Sequence, residues 1–306
     1  MTDKGLRNKH GMRQGKNVTF TEEQNPRSEK IDLSSIQEIV DVMSEEDMLA
    51  ARAVTKARPS ICSAIEEAIR VIRSGGRLVY LGAGTSGRLG VLDASEIPPT
   101  FSVPARTVQG IIAGGRRALT RAAEGAEDDE DAGIRAVSGL TTNDMLLGIS
   151  ASGKTPFVIA ALKAAKLSHA RCWLLTCNDV AYPFLNGTIF VPVGPEIIAG
   201  STRLKAGTAT KMVLNMISTV TMIKLGRVYD GYMIDVAATN KKLKERSLTI
   251  VRKITGSGEK EAETLLMNAG GRVKVALLMK LKGITRKEAV GRLKKAGGSF
   301  REALRF

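Results

Sequence analysis

Five short apolar runs separated by helical stretches constrain this chain most. They lie at residues 78–81 (LVYL), 107–113 (TVQGIIA), 145–149 (MLLGI), 171–176 (RCWLLT) and 188–193 (TIFVPV). Residues 116–124, 155–167 and 203–225 carry helical patterns between or after them. This alternation predicts an α/β architecture: a parallel sheet flanked by helices on both faces. In such sheets ligands sit beyond the carboxyl ends of the strands.

Gly/Ser/Thr-rich loops fall at that end. Run 78–81 leads into GAGTSG (82–87), then Arg88 and a helical run that reaches Glu96 just before Pro98 and Pro99. Backbone N–H groups of Gly84, Thr85, Ser86 and Gly87 can wrap a phosphate, with the Glu96 carboxylate expected close behind. The two prolines are expected to cut the helix short. Run 145–149 leads into SASGKTP (150–156). There Ser150, Ser152 and Thr155 supply hydroxyls, Gly153 lets the backbone approach, and a helix starting at Thr155-Pro156 adds the positive end of its dipole. The spacing is not that of a Walker A loop. A third stretch, GSTRLKAGTATK (200–211), opens a helix with Arg203 and Lys205. Lys205 is either a solvated lysine or a cation for a phosphate or carboxylate.

Other readings of the first turn stay open. Gly82, Gly84 and Gly87 satisfy G-x-G-x-x-G, but a dinucleotide site wants an acidic residue about 20 residues on, at the next strand tip. Run 107–113 ends instead in Gly114-Gly115. A tight strand-to-helix turn with no ligand is the plainer alternative. Among carboxylates, AAEGAEDDEDAG (122–133) reads as a solvated acidic turn without the D-x-D-x-D-G calcium pattern, and Glu127 within it is a catalytic candidate. Glu96 is the stronger one, because a helix end disfavours a negative charge and stability gives no reason for it.

Charge and composition narrow the classes. The chain has 306 residues and a formal charge of +15, but residues 31–240 are balanced. The excess sits at the ends, with 18 Lys/Arg against 6 Asp/Glu in residues 241–306. That stripe has helical spacing and only Phe300 and Phe306 as aromatics, so it reads as solvated helix faces rather than a nucleic-acid surface. No apolar run of about 18 residues predicts a membrane span, and the N-terminus lacks the apolar centre of a secretory signal. Cys62, Cys172 and Cys177 match no metal spacing and read as buried small hydrophobes in a reduced, cytoplasmic protein. With only His10 and His169, neither a histidine-rich metal site nor a local Ser-His-Asp arrangement is expected.

The chain divides into a disordered basic tail (1–20), a helical arm (21–60) with cap candidates at 32–35, an α/β domain (61–240), and a C-terminal domain of about three short helices (241–306). Pro59 is expected to start a new helix within the region 48–74.

Four segments, in order, carry a resemblance: LGAGTSGRLGVLDASEIPPTF, IAGGRRALTRAAEGAED, GISASGKTPFVIAAL and AGSTRLKAGTATKMVLNMIST. Together they resemble the N-acetylmuramic acid 6-phosphate etherases of the SIS phosphosugar-binding superfamily, and the similarity runs from about Thr21 through the C-terminal helices. The resemblance implies a lyase of peptidoglycan recycling that needs neither metal nor cofactor. It would cleave the D-lactyl ether of its substrate by elimination and hydration, giving N-acetylglucosamine 6-phosphate and D-lactate. By the same resemblance Glu96 and Glu127 are the catalytic pair, with Glu96 as acid at the ether oxygen and Glu127 as base at C2, or the reverse. The 6-phosphate is expected among Ser86, Ser150, Ser152 and Thr155, and the lactyl carboxylate near Arg88 or Lys205. A homodimer and a ubiquitin-associated-like C-terminal module are also implied. Ile97 and Phe101 depart from the Cys and Tyr associated with the family and leave Glu96 intact. The rival expectations are a non-catalytic phosphosugar-binding regulator and an aldose–ketose isomerase.

Overall fold

The computed structural model describes residues 19–236 and 241–306. The expectation for residues 1–18 lies outside the described residues.

The sheet has five parallel strands: β1 (Leu78–Gly82), β2 (Val108–Ile112), β3 (Met145–Ile149), β4 (Arg171–Thr176) and β5 (Gly187–Phe190), in the order β2-β1-β3-β4-β5. Side chains alternate between its two faces. Leu78, Tyr80, Met145, Leu147, Trp173 and Leu175 pack on one side with α1 (Ile36–Lys56), α2 (Arg58–Arg73), α3 (Gly84–Phe101) and α6 (Lys205–Lys224). Val79, Leu81, Leu146, Cys172 and Leu174 pack on the other with α4 (Glu130–Ala136) and α5 (Pro156–Leu167). Both faces are covered, which is why the strands read as unbroken apolar runs. Cys172 and Cys177 are buried, and burial pushes their thiols up to about 11 and about 12; Cys62 is exposed, against expectation.

The arm is held by specific bonds. Ser35 caps α1 in a reciprocal capping box with Glu38. α1 runs unbroken to Lys56, and α2 begins at Arg58 with Pro59 in its first turn. Ahead of α1, short 3-10 turns carry Thr21 and Asn25, both buried, across the carboxyl edge of the sheet. Thr21 accepts from Gly200 N–H (2.9 Å), and Asn25 donates to the Pro195 carbonyl (3.1 Å).

Three local expectations fail for physical reasons. α3 does not stop before Pro98 but runs on through Pro98 and Pro99 to Phe101. Both prolines lie in the last turn, where φ near −65° suits a helix and only the bonds to the Ala94 and Ser95 carbonyls are forgone. Residues 116–124 form only a 3-10 turn, Gly115–Leu119, because Gly114, Gly115 and Gly125 all take positive φ. The strand expected at 188–193 ends at Phe190.

A two-stranded hairpin, β6 (Val228–Tyr229) and β7 (Tyr232–Met233), precedes the C-terminal helices. These number five among the described residues, not three: α7 (Lys241–Thr255), α8 (Glu259–Asn268), α9 (Val273–Lys282), α10 (Arg286–Lys295) and α11 (Phe300–Ala303). They share their own core around Val251, Ala276, Leu277, Leu278 and Phe300, which the hairpin residues Tyr229 and Tyr232 join.

Candidate active site

The strand order puts a topological switch point between β1 and β3, since the chain leaves β1 toward one edge and β3 toward the other. Such points open a crevice at the strands' carboxyl ends. Both sequence-predicted cradles lie there, one after each strand.

The first cradle is the opening turn of α3. Ala83 is its N-cap and supplies no side-chain cap, so the first N–H groups, from Gly84 through Ser86, are offered outward. Gly84 makes the turn at φ 51°. Gly82 and Gly87 serve a different purpose. A Cβ on Gly87 would sit 2.5 Å from the Gly82 carbonyl oxygen, so these glycines let helix and strand touch.

The second cradle is organised by Ser150, which is buried. Its hydroxyl accepts from Gly153 N–H (3.0 Å) and pairs with the hydroxyls of Thr155 (2.8 Å) and Ser152 (3.2 Å). Gly153 is obligatory: φ is 74°, and a Cβ would lie 2.5 Å from Val180 Cγ2 and 2.8 Å from Thr176 Oγ1. Asn178 ties the loop from behind, donating to the Ala151 carbonyl (2.8 Å) and to Thr21 Oγ1 (3.1 Å).

Glu127 stands between the two cradles. Its carbonyl accepts from Phe157 N–H in the first turn of α5 (3.0 Å). It lines a pocket of about 220 Å³ with Gly84, Arg88, Ala113 and Ala126. Arg88 donates to the Leu119 (3.3 Å) and Arg121 (3.2 Å) carbonyls, and no carboxylate pairs with it among the described residues. Gly84 at the open first turn of α3, the Arg88 guanidinium and the exposed residue Glu127 thus line one cavity.

Glu96 is elsewhere. It lies 12 residues beyond Gly84, about 18 Å along α3 at 1.5 Å per residue. It lines a separate pocket of about 220 Å³ with Asp93, Lys211, Leu92 and Asn215. The expectation of a carboxylate close behind the first cradle therefore fails within one chain. Asp93, one helical turn earlier, accepts from Asn215 Nδ2 (2.8 Å) and Ser218 Oγ (3.1 Å). Burial pushes the Asp93 carboxyl up from its ordinary range, against the lowering effect of those bonds.

Lys205 is neither solvated nor free. It is buried, and its ammonium pairs with Glu46 of α1, whose carboxylate also accepts from Asn25 Nδ2 (2.8 Å). The start of α6 is closed as well: the Glu196 carboxylate accepts from Lys205 N–H (3.0 Å) and Ala206 N–H (2.9 Å). Burial pushes the Glu196 carboxyl up, and those two N–H groups oppose it. Lys205 in the stretch 200–211 thus braces the site, while Lys211, further along, lines the Glu96 pocket. Glu46, Glu196, Asn25 and Asn178 were not singled out from the sequence. Only the polar run TEEQNPRSEK hinted that the arm makes specific contacts.

Comparison with known proteins identifies the family. Residues 60–166 match the family model described as glucokinase regulatory protein N-terminal SIS domain. The chain is 48% identical over 266 residues to an N-acetylmuramic acid 6-phosphate etherase of Geobacillus thermodenitrificans, covering 86% of this chain and 90% of that one. It is 45% identical over 289 residues to the protein of the same name from Synechocystis, covering 93% and 95%. The Salmonella typhi protein of that name is 46% identical over 288 residues, covering 93% and 97%. With identity at this level over nearly the whole length, and a cradle pair at the sheet's switch point, the chain belongs to the N-acetylmuramic acid 6-phosphate etherase family.

Proposed function

We propose that this chain cleaves the D-lactyl ether of N-acetylmuramic acid 6-phosphate, releasing D-lactate and N-acetylglucosamine 6-phosphate. The observation that carries the reading is the shared cavity of α3's open first turn, Arg88 and Glu127. The 6-phosphate is received by the N–H groups of Gly84, Thr85 and Ser86 and by the hydroxyls of Ser150, Ser152 and Thr155, with Gly153 giving close approach; the Gly87 N–H is taken by the Ala83 carbonyl (3.1 Å). Arg88 takes the lactyl carboxylate.

The chemistry follows from the substrate. An unactivated ether leaves poorly. Opening the sugar ring exposes the C1 aldehyde and acidifies the C2 proton. Glu127 removes that proton, the C3–O bond breaks toward the lactyl oxygen, and Glu96 supplies the proton that oxygen needs. Water then adds at C3 of the unsaturated aldehyde, and one proton returns to C2. Protons and electrons balance with two carboxyl groups and no redox partner.

The two carboxyls line different pockets of one chain. The reading therefore requires a homodimer in which Glu96 of one copy meets Glu127 of the other. An exposed apolar surface around Glu96 supports it. Leu92 on α3 and Met216 on α6 are 51% and 39% exposed, and Ile36 and Val40 leave the start of α1 uncovered.

Lactate assay of the purified chain with N-acetylmuramic acid 6-phosphate tests the reading. Tight binding without lactate would favour a phosphosugar-binding regulator, and C1/C2 isomerisation without lactate an isomerase.

A further inference from the structure

A third cavity, about 510 Å³, lies where the α/β unit meets the C-terminal helices. It is bounded by Ser102, just past the end of α3, by residues 234–236 after the hairpin, and by the start of α9. The first cradle is at the other end of the 18-residue α3, about 26 Å away. The proposed etherase reaction does not use this cavity.

Its charge is unbalanced. Arg227, Arg272 and Lys274 line it against a single carboxylate, Asp235. Arg227 Nη1 (3.1 Å) and Lys274 Nζ both bond the same oxygen, Asp235 Oδ2. Lys274 is 6% exposed and also donates to the Gly298 carbonyl (2.7 Å). Arg227 Nε is buried with no hydrogen-bond partner among the described residues. Arg272 is exposed. Two positive charges thus remain uncompensated around a partly enclosed space.

The backbone adds donors on the same side. Gly270 and Gly271 turn at φ 65° and 72°, and α9 then starts with no side-chain cap. A ten-residue helix whose first N–H groups open into a basic cavity favours an anion. The remaining lining includes Ile234, Val236, Val273 and Val275. These suit a compact, largely non-ionic body.

We infer that this junction cavity binds a small phosphomonoester, its dianionic head between Arg227, Arg272 and the α9 N-terminus. The head's double charge matches the uncompensated pair, and the volume admits a body the size of one sugar ring. Binding there clamps the C-terminal helices against the end of α3, the helix that carries Glu96.

The test is a titration of the full chain with inorganic phosphate, followed by amide proton–nitrogen spectra. Two sets of amides are expected to shift and saturate separately: Thr85 and Ser86 at the first cradle, Val273 and Lys274 at the junction. Arg272→Glu, at an exposed position, is expected to weaken the second set about 10- to 100-fold and leave the first unchanged. Arg272→Lys is expected to retain most of the second. Val273 and Lys274 amides that do not move, that move as much in Arg272→Glu, or that respond equally to chloride at matched ionic strength would overturn the inference.

Discussion

The main-chain carbonyl of Glu127 accepts a 3.0 Å hydrogen bond from the N–H of Phe157. One bond thus fixes the base candidate's backbone to the helix that grows out of the Ser150 cradle. The carboxylate stays exposed and faces the cavity of Gly84 and Arg88. In the proposed reaction this holds the base and the phosphate-binding loop to a common frame, which is what a reaction limited by orientation requires.

The separate roles proposed for the two carboxylates make their variants distinguishable. Glu127→Gln is expected to lower kcat about 10²- to 10⁴-fold and to abolish exchange of the substrate C2 proton with deuterated solvent. Glu96→Gln is expected to stop lactate release while C2 exchange continues. Proton NMR of the sugar reads both at once, and loss of exchange in both variants would reverse or merge the roles.

Mixing those two inactive variants tests whether one site draws on two copies. A random mixture of dimers contains about half mixed pairs, each with one intact site, so about a quarter of wild-type activity should return. No recovery after subunit exchange, verified by mass spectrometry, would place both carboxylates in a single chain's site.

Ser150 holds its loop through hydroxyl and N–H bonds at once. Ser150→Ala is expected to raise KM about 10- to 100-fold, the loss of hydrogen bonds to a charged group. The effect should vanish with a substrate lacking the phosphate.

Lys205→Met should destabilise the fold by up to about 3–5 kcal/mol, because it leaves the buried Glu46 only the half-exposed Arg27, 3.7 Å away, as a counter-charge. Adding Glu46→Gln, which still accepts from Asn25, should recover much of the loss. Urea unfolding measures both. A fully active, fully stable Lys205→Met would deny the bracing role.

At the amino ends of β1 and β3, Arg77 grips Asp144 through Nη2 (2.8 Å) and Nε (3.1 Å). Burial alone would raise the Asp144 carboxyl, but the Arg77 and Thr141 hydrogen bonds outweigh it and hold the carboxyl below its ordinary range. A depressed carboxylate stabilises the fold above its unfolded value and loses that contribution as pH falls through the folded one. Asp144→Asn should therefore be less stable than wild type by about 1–3 kcal/mol at neutral pH. The gap should close below about pH 4 in acid titrations of unfolding.

The sheet was legible because its strands are buried on both faces and carry unbroken apolar runs; β3 and β4 begin and end where their residues predict. The position of both loops was legible because each Gly/Ser/Thr cluster follows directly on an apolar run that forms a strand. The extent of α3 was not. Two prolines read as a stop, yet the last turn of a helix needs few N–H donors. Lys205 was misread because its partner, Glu46, lies 159 residues away, and no local pattern reports a long-range ion pair. The distance from Gly84 to Glu96 follows from helix geometry alone. Its consequence, two pockets rather than one, appears only once both carboxylates are placed around α3.

Lactate release in water enriched with oxygen-18 tests the central claim most directly. Elimination followed by hydration breaks the bond on the sugar side. Lactate should therefore keep its own ether oxygen unlabelled, while C3 of the N-acetylglucosamine 6-phosphate gains one heavy oxygen. Label at the lactate hydroxyl, or no lactate at all, would contradict it.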